Sequence, residues 1–285
     1  MTLLDRLREQ FPTAKRQTLK RMVENRRVMV GGVAARRLDQ SVDLGDRVMV
    51  VGEKKSSPKL PFVIVHEDRD LLVINKPQGL LTSTVPREPR PTALAAVRDY
   101  LHLTDPSAKT GLVHRLDRDA SGLLVFSKNN QAYDSLKKQF FHHTVSRVYH
   151  AIVSPRPKQT AARIESFLVE RADGSVHSTQ TPGRGQQAST HFTVAKCHGS
   201  YALLRVTLHT GRKHQIRVHL LEFGCPIVGD AEYGGKTHTP GLMLSAVELG
   251  LEHPRTGIHM TFKIPDAANR ILTAFTSVGA ASKSL

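Results

Sequence analysis

The chain contains no tryptophan and two cysteines, and its lysines and arginines outnumber its acidic residues by 41 to 25. Each shortage closes off a class of function. Cys197 and Cys225 give neither a disulfide framework nor a metal-ligand spacing, and they are expected to be buried free thiols. No run approaches the roughly 18 apolar residues of a membrane span. The first residues lack the basic and apolar regions of a secretory leader, so a cytoplasmic protein is expected. Binding to a membrane surface calls for a basic amphipathic helix with Trp or Phe on its other face, whereas here the aromatic residues are 5% of the chain and scattered. There is no phosphate-binding P-loop, no dinucleotide fingerprint and no His-Glu-x-x-His pattern. His142-His143 and His214/His219 therefore suggest no metal site, and neither a metal nor a nucleotide cofactor is expected.

What the sequence does have is positive charge, a formal +16 with a pI near 10.2. An excess of that size speaks of partners rather than fold. A polyanion fits best, because neutralising phosphates releases condensed counterions. The 285 residues and 39% hydrophobic content suit one large domain with a small one beside it.

The small domain is expected at residues 1–52. Thr2 precedes Leu3, Leu4, Leu7 and Phe11 at helical spacing, with Asp5 in the first turn. A second helical pattern turns Leu19, Met22 and Val23 inward, and Arg16, Lys20 and Arg21 belong to a dense basic cluster on its outer face, a phosphate-binding pattern. Short strands follow at 28–30 and 33–35, with a Gly31-Gly32 turn between them, and at 47–51. Residues 53–61, lysine-rich and broken by two prolines, read as a linker. Beyond it, strands and helices mix without regular alternation, which argues for α+β with a largely antiparallel sheet and flanking helices. A helix is expected after Pro91-Thr92, another at 130–140 and a third at 215–222. Residues 172–189 read as a long surface loop. A large domain at 62–275 and a tail at 276–285 complete the expected division.

The densest chemical signal runs from Gly111 to Val125. Asp117 lies there among His114, Arg115 and Arg118, just before a turn and an apolar strand. Flanking cations are expected to keep its carboxylate ionised.

This stretch, His114-Arg115-Leu116-Asp117-Arg118-x-x-Ser121-Gly122-Leu123-Leu124, resembles the signature of the RluA family of pseudouridine synthases. So, in order, do Lys76-Pro77-Gln78-Gly79, Arg147-Val148-Tyr149-His150-Ala151, Gly211-Arg212-Lys213-His214-Gln215-Ile216-Arg217-Val218-His219, and Gly229-Asp230 with Tyr233-Gly234. The resemblance covers about residues 62–270, and residues 2–52 resemble the S4 RNA-binding domain. Ala120, Arg147 and Lys213 stand where that family usually has Thr, Lys and Thr, Leu81-Thr82-Ser83 replaces a His-Pro stretch, and Gly31-Gly32 replaces Asn-Gly.

The resemblance implies a pseudouridine-synthase fold and a cofactor-free isomerase acting on RNA, with large-subunit ribosomal RNA expected as the substrate and a monomer as the default state. It implies Asp117 as the essential carboxylate, acting as nucleophile or by way of a glycal. Arg217 would pair with Asp117, Tyr149 would pack on the uracil, and Ile216 would line the pocket. The target base has to be flipped out, and His114 and Arg115 are placed to fill the vacated stack. Three alternatives stay open: a non-catalytic RNA-binding or ribosome-assembly protein on the same fold, transfer RNA as substrate, or a hydrolase using Asp117.

Overall fold

The computed structural model describes residues 1–43, 45–51, 60–84, 89–234 and 241–281. The chain divides into two compact units, Met1–Lys59 and Leu60–Leu285.

In the first unit, α1 (Leu3–Gln10) starts at a reciprocal cap: the Thr2 hydroxyl accepts the Asp5 N–H, and the Asp5 carboxylate accepts the Thr2 N–H. Helix α2 (Arg16–Glu24) follows. Their spacing sends Leu3, Leu7, Leu19 and Val23 into one core with Val28 and Val48. Strands β1 (Val28–Val30), β2 (Val33–Ala34) and β3 (Val48–Val50) form a small sheet in the order β2-β1-β3. Gly31 and Gly32, at φ +57° and +85°, make the two-residue turn between β1 and β2, a conformation that favours glycine at both positions. Arg16, Lys20 and Arg21 are all exposed on α2, and Glu24 pairs with Lys20 at 3.6 Å.

The second unit begins with a hairpin of β4 (Val63–Glu67) and β5 (Leu71–Lys76), then α3 (Ala93–Thr104), β6 (Gly111–Leu112), β7 (Ser121–Ser127), α4 (Asn130–Phe141) and β8 (Ser146–Val153). It continues through β9 (Ala161–Glu170), β10 (Val176–Thr179), β11 (Gln186–His198), β12 (Tyr201–Leu208), α5 (Gln215–Glu222), β13 (Leu244–Glu252), β14 (His259–Lys263) and α6 (Arg270–Ala281). The side chains of Thr92 and Asn129 cap α3 and α4.

Among the described residues the strands form one 11-stranded sheet in the order β10-β9-β11-β12-β8-β13-β7-β5-β4, with β14 on β13 and β6 on β7. It is antiparallel apart from the β7–β13 pair. The middle of the sheet is covered on both faces. Leu72, Ile74, Leu124 and Phe126 enter one apolar cluster, while Leu71, Val73, Leu123 and Val125 enter a second. Alternate side chains of a strand point to opposite faces, so burial on both explains why β5 and β7 read as unbroken apolar runs. At Gly122 the two parallel strands press together, and a β-carbon there would overlap the Ala246 backbone.

Several expectations need correction. Residues 172–189 are not one loop: β10 pairs with β9 across a short turn, and β11 already begins at Gln186. Apart from the buried Ser189, the Ser, Thr and Gln that suggested a loop lie on exposed or half-buried positions. Cys225 is buried, but Cys197 is exposed because it lies near the tip of the β11–β12 hairpin. The expected tail overlaps α6, which crosses position 276. Of the expected linker, residues 53–59 lie outside the described residues, and Leu60 packs against the core of the second unit. Strands β9, β13 and β14 and helix α6 had not been anticipated. No helix among the described residues is long and apolar enough to cross a membrane.

Candidate active site

Asp117 lies in the loop between β6 and β7, and that loop is tied down on both sides of it. On one side Thr82 Oγ donates to the Leu116 carbonyl at 2.7 Å and accepts the Leu116 N–H at 3.2 Å. On the other, the Arg118 carbonyl accepts the Gly79 N–H at 2.9 Å and Lys76 Nζ at 3.0 Å. Lys76 is fully buried and also donates to the Pro77 and Leu80 carbonyls. Burial pulls its amine down to about 8, although the Asp117 and Asp119 charges oppose that shift. Leu116 and Ala120 are buried beneath the loop. Asp117 therefore sits on a rigid shelf with its side chain 16% exposed.

The carboxylate faces a cavity of about 420 Å³ whose lining includes His114, Arg115, Tyr149 and Ile216, within the roughly 300–1,000 Å³ typical of ligand clefts. Tyr149, 6% exposed, projects from β8 and belongs to the main core cluster, as does Ile216 at the start of α5. Among the described residues the Tyr149 hydroxyl has no hydrogen-bond partner, and burial raises its pKa above the usual phenol value.

Arg217 is outside that lining and stands behind Asp117. Its Nη1 is 3.6 Å from Asp117 Oδ2, and its stronger contacts are a two-pronged pair with Asp230, both at 2.8 Å, and one with Glu232 at 2.9 Å. The guanidinium also lies 4.7 Å from the centre of the Tyr233 ring. Burial opposes its charge, but the bonds to Asp230 and the charges of Asp230, Asp117 and Glu232 outweigh that and raise its pKa above the ordinary value.

Local sequence explains why α5 can bury this arginine. Gln215 accepts the Arg212 N–H and the Thr210 hydroxyl, and donates to Ser189 and Thr190. His219, one turn on, is held between Ser166 and Thr190, and burial pulls it down to about 4. His214 starts the helix at φ +54° and places Nδ1 2.8 Å from the Tyr233 hydroxyl. For a residue with a Cβ that conformation costs roughly 1–2 kcal/mol. His143, at φ +58°, is a second cavity residue in this state.

The expected ring of cations around Asp117 takes a different form. Arg118 makes a two-pronged pair with Asp119. His114 is stacked on Phe140 with centroids 4.6 Å apart, and its Nε2 accepts the Val125 N–H. Burial first, and the Arg147 charge second, push it down to about 3, so the ring is neutral. Arg115 is exposed, and the cation that meets Asp117 is Arg217. Sequence reasoning gave no role to Thr82 or Glu232, and none to Lys76 or Asp230 beyond a place in a motif.

Among the described residues one group, Asp68, Asp70 and His253, has the spacing to hold a metal ion. Asp70 already accepts from Arg255 through both oxygens and from Asn129, which makes the group a salt-bridge cluster, and none of these residues lines the cavity.

Comparison with known proteins places this geometry. Residues 70–222 match the RNA pseudouridylate synthase family. The chain is 34% identical over 262 residues to a Bacillus subtilis protein named uncharacterized RNA pseudouridine synthase, covering 88% of this chain and 85% of that one. It is 32% identical over 284 residues to ribosomal large subunit pseudouridine synthase D of Salmonella typhimurium, covering 91% and 85%. Its fold matches that of human RNA pseudouridylate synthase domain containing 4 with a TM-score of 0.62 at 24% identity, over 74% of this chain and 90% of that one. The motif around a pinned aspartate, the sheet that carries it and the length of the sequence match lead to one conclusion: the chain belongs to the RNA pseudouridylate synthase family and is an isomerase.

Proposed function

We propose that the chain isomerises uridines of large-subunit ribosomal RNA to pseudouridine, with Asp117 as the catalytic carboxylate. The observation that carries this reading is the Asp117 carboxylate, fixed by its loop and by Arg217 at the wall of a cavity that also contains Tyr149 and Ile216. The relatives named ribosomal large subunit pseudouridine synthase D support the choice of RNA.

The reaction breaks the C1′–N1 bond, turns the base within the pocket and closes a C1′–C5 bond. The C5 hydrogen leaves as a proton, and N1 gains one. A carboxylate assists at an anomeric carbon by adding to it or by stabilising its positive charge. Arg217 keeps Asp117 aimed and charged, while Tyr149 and Ile216 grip the uracil faces as it turns. Arg115, exposed at the cavity, is placed to fill the stack left by a flipped base. His114 lines the same cavity with its ring stacked on Phe140.

The unit at Met1–Lys59 serves in this reading as an S4-like RNA-binding domain. Arg16, Lys20 and Arg21 lie exposed on one helix and supply phosphate contacts.

The test uses ribosomal RNA tritiated at uridine C5. Wild type releases tritium, and Asp117→Asn slows release by on the order of 10³-fold or more while still binding the RNA. Changing Arg16, Lys20 and Arg21 together to Gln weakens binding and flattens its salt dependence. Equal release by wild type and Asp117→Asn would remove the assigned carboxylate. An unchanged salt slope in the triple variant would remove the role of α2.

A further inference from the structure

Arg147 is the buried cation of the cavity that the scheme above does not use. It is 9% exposed and lines the cavity from β8. Its Nε is buried without a hydrogen-bond partner, and its Nη2 donates to the His209 carbonyl at a long 3.4 Å. Among the described residues no carboxylate lies within salt-bridge distance of it. Burial works against its charge more than Tyr149 favours it, and its pKa falls below the ordinary guanidinium value; the guanidinium also lies 5.7 Å from the centre of the Phe140 ring.

The surroundings add positive charge. His143 and His209 bring their rings to 5.3 Å, and Arg212 lines the cavity nearby. Burial first, then the charges of His209, Arg147, Arg212 and His142, lower the pKa of His143, and no acidic group opposes this. Gly211 has a specific part in the arrangement, since a β-carbon there would overlap the Arg147 guanidinium. Chain elements as distant in sequence as the end of α4, the start of β8 and the loop after β12 thus converge on one buried arginine that has no carboxylate in reach among the described residues. A buried charge without a counter-charge is costly, and an anion arriving there would offset that cost.

We infer that Arg147, with His143 and Arg212 at its opening, forms a phosphate subsite that receives the RNA backbone beside the target uridine. The inference rests on the RNA isomerase reading for the identity of the anion, because phosphates are the charged groups of that substrate. It also has a geometric basis. Arg147 and Tyr149 are two residues apart on β8, so both side chains leave the same face of the strand about 7 Å apart. A uracil packed on Tyr149 leaves its sugar and phosphate toward Arg147. Arg147 then positions the nucleotide, while Asp117 meets the anomeric carbon.

The test measures binding of a large-subunit ribosomal RNA transcript across a salt series, with the full chain and without turnover. Arg147→Gln is expected to weaken binding about 5–10-fold and to lower the log–log salt slope by roughly 0.7–0.9, the value of one phosphate contact. Arg147→Lys, which keeps the charge but not the fork, is expected to restore the slope and only part of the affinity. If Arg147→Gln fails to fold, Gly211→Ala tests the same point by displacing the guanidinium without removing it, and the same loss of slope is expected. An unchanged slope in a folded Arg147→Gln or Gly211→Ala, with or without lost activity, means a packing role and overturns the subsite. Tritium release is scored separately. If wild type releases none from any RNA while the slope still falls, the isomerase reading has failed and the phosphate subsite stands.

Discussion

Two buried arginines flank the same half-buried aspartate region, and they are kept in opposite ways. Arg217 is surrounded by carboxylates, those of Asp230, Glu232 and Asp117. Arg147 has none within salt-bridge reach among the described residues, and has an arginine and histidines as neighbours instead. A saturated arginine holds its partners in place and has nothing left for a substrate. An unsaturated one is poorly solvated until an anion arrives. The residue type is the same, so the difference in role comes from the neighbours the fold supplies.

The sharpest way to break this contrast is to desaturate Arg217. Asp230→Ala leaves that arginine short of its two shortest contacts, and breaking such a buried pair costs about 3–5 kcal/mol. The expected result is a fall in Tm of about 10 °C with loss of tritium release. A change of a degree or two would show that Glu232 and Asp117 hold Arg217 unaided.

A smaller change moves the aspartate and spares both arginines. Thr82→Val keeps the shape but removes both hydrogen bonds to Leu116, at a cost of about 1–2 kcal/mol. Release should slow about 10-fold, since small misplacements of a reacting group are costly, while RNA affinity stays level. Unchanged release would mean that Lys76 and Gly79 alone fix the loop.

The mildest probe is acid. His114, next to Arg147, and His219, two residues beyond Arg217, have folded-state pKa values of about 3 and about 4. Both lie below the ordinary histidine value of about 6.5, so the unfolded chain takes up protons that the folded one refuses. Their contribution to stability is complete above about pH 6.5 and is lost as the pH falls toward these values. Tm should drop by several degrees between pH 7 and pH 5, and His114→Gln should shrink that drop. A drop of the same size in His114→Gln would place the acid sensitivity elsewhere.

Much of this arrangement was legible in the sequence where the signal is local. The Thr2–Asp5 cap, the span of β8 and the helix at 215–222 follow from spacing and end signals within a few residues. The motif residues were identified by resemblance, and the structure brings Asp117, Tyr149 and Ile216 to one cavity with Arg217 behind it. What could not be read depends on distance along the chain. Thr82 meets Leu116 34 positions away and Lys76 meets Arg118 42 positions away, and neither contact leaves a periodic trace. The strands at 176–179 and 186–189 were misread because most of their side chains are polar and exposed or half-buried, so they lack the apolar alternation that marks a strand. The surroundings of His114 were also not legible locally, since its ring meets Phe140 and the Val125 N–H, 26 and 11 positions away.

The place of β13 has a consequence for the order in which the protein becomes competent. This strand, made from residues 244–252, lies between β7 and β8 in the sheet. The loop that carries Asp117 runs into β7, and Tyr149 lies on β8, so the two strands are joined in the sheet only through β13, a segment synthesised about a hundred residues later. Such long-range pairing is slow and comes late in folding. A nascent chain that has already made every motif residue is therefore still without a site, and the N-terminal unit is complete long before the isomerase is.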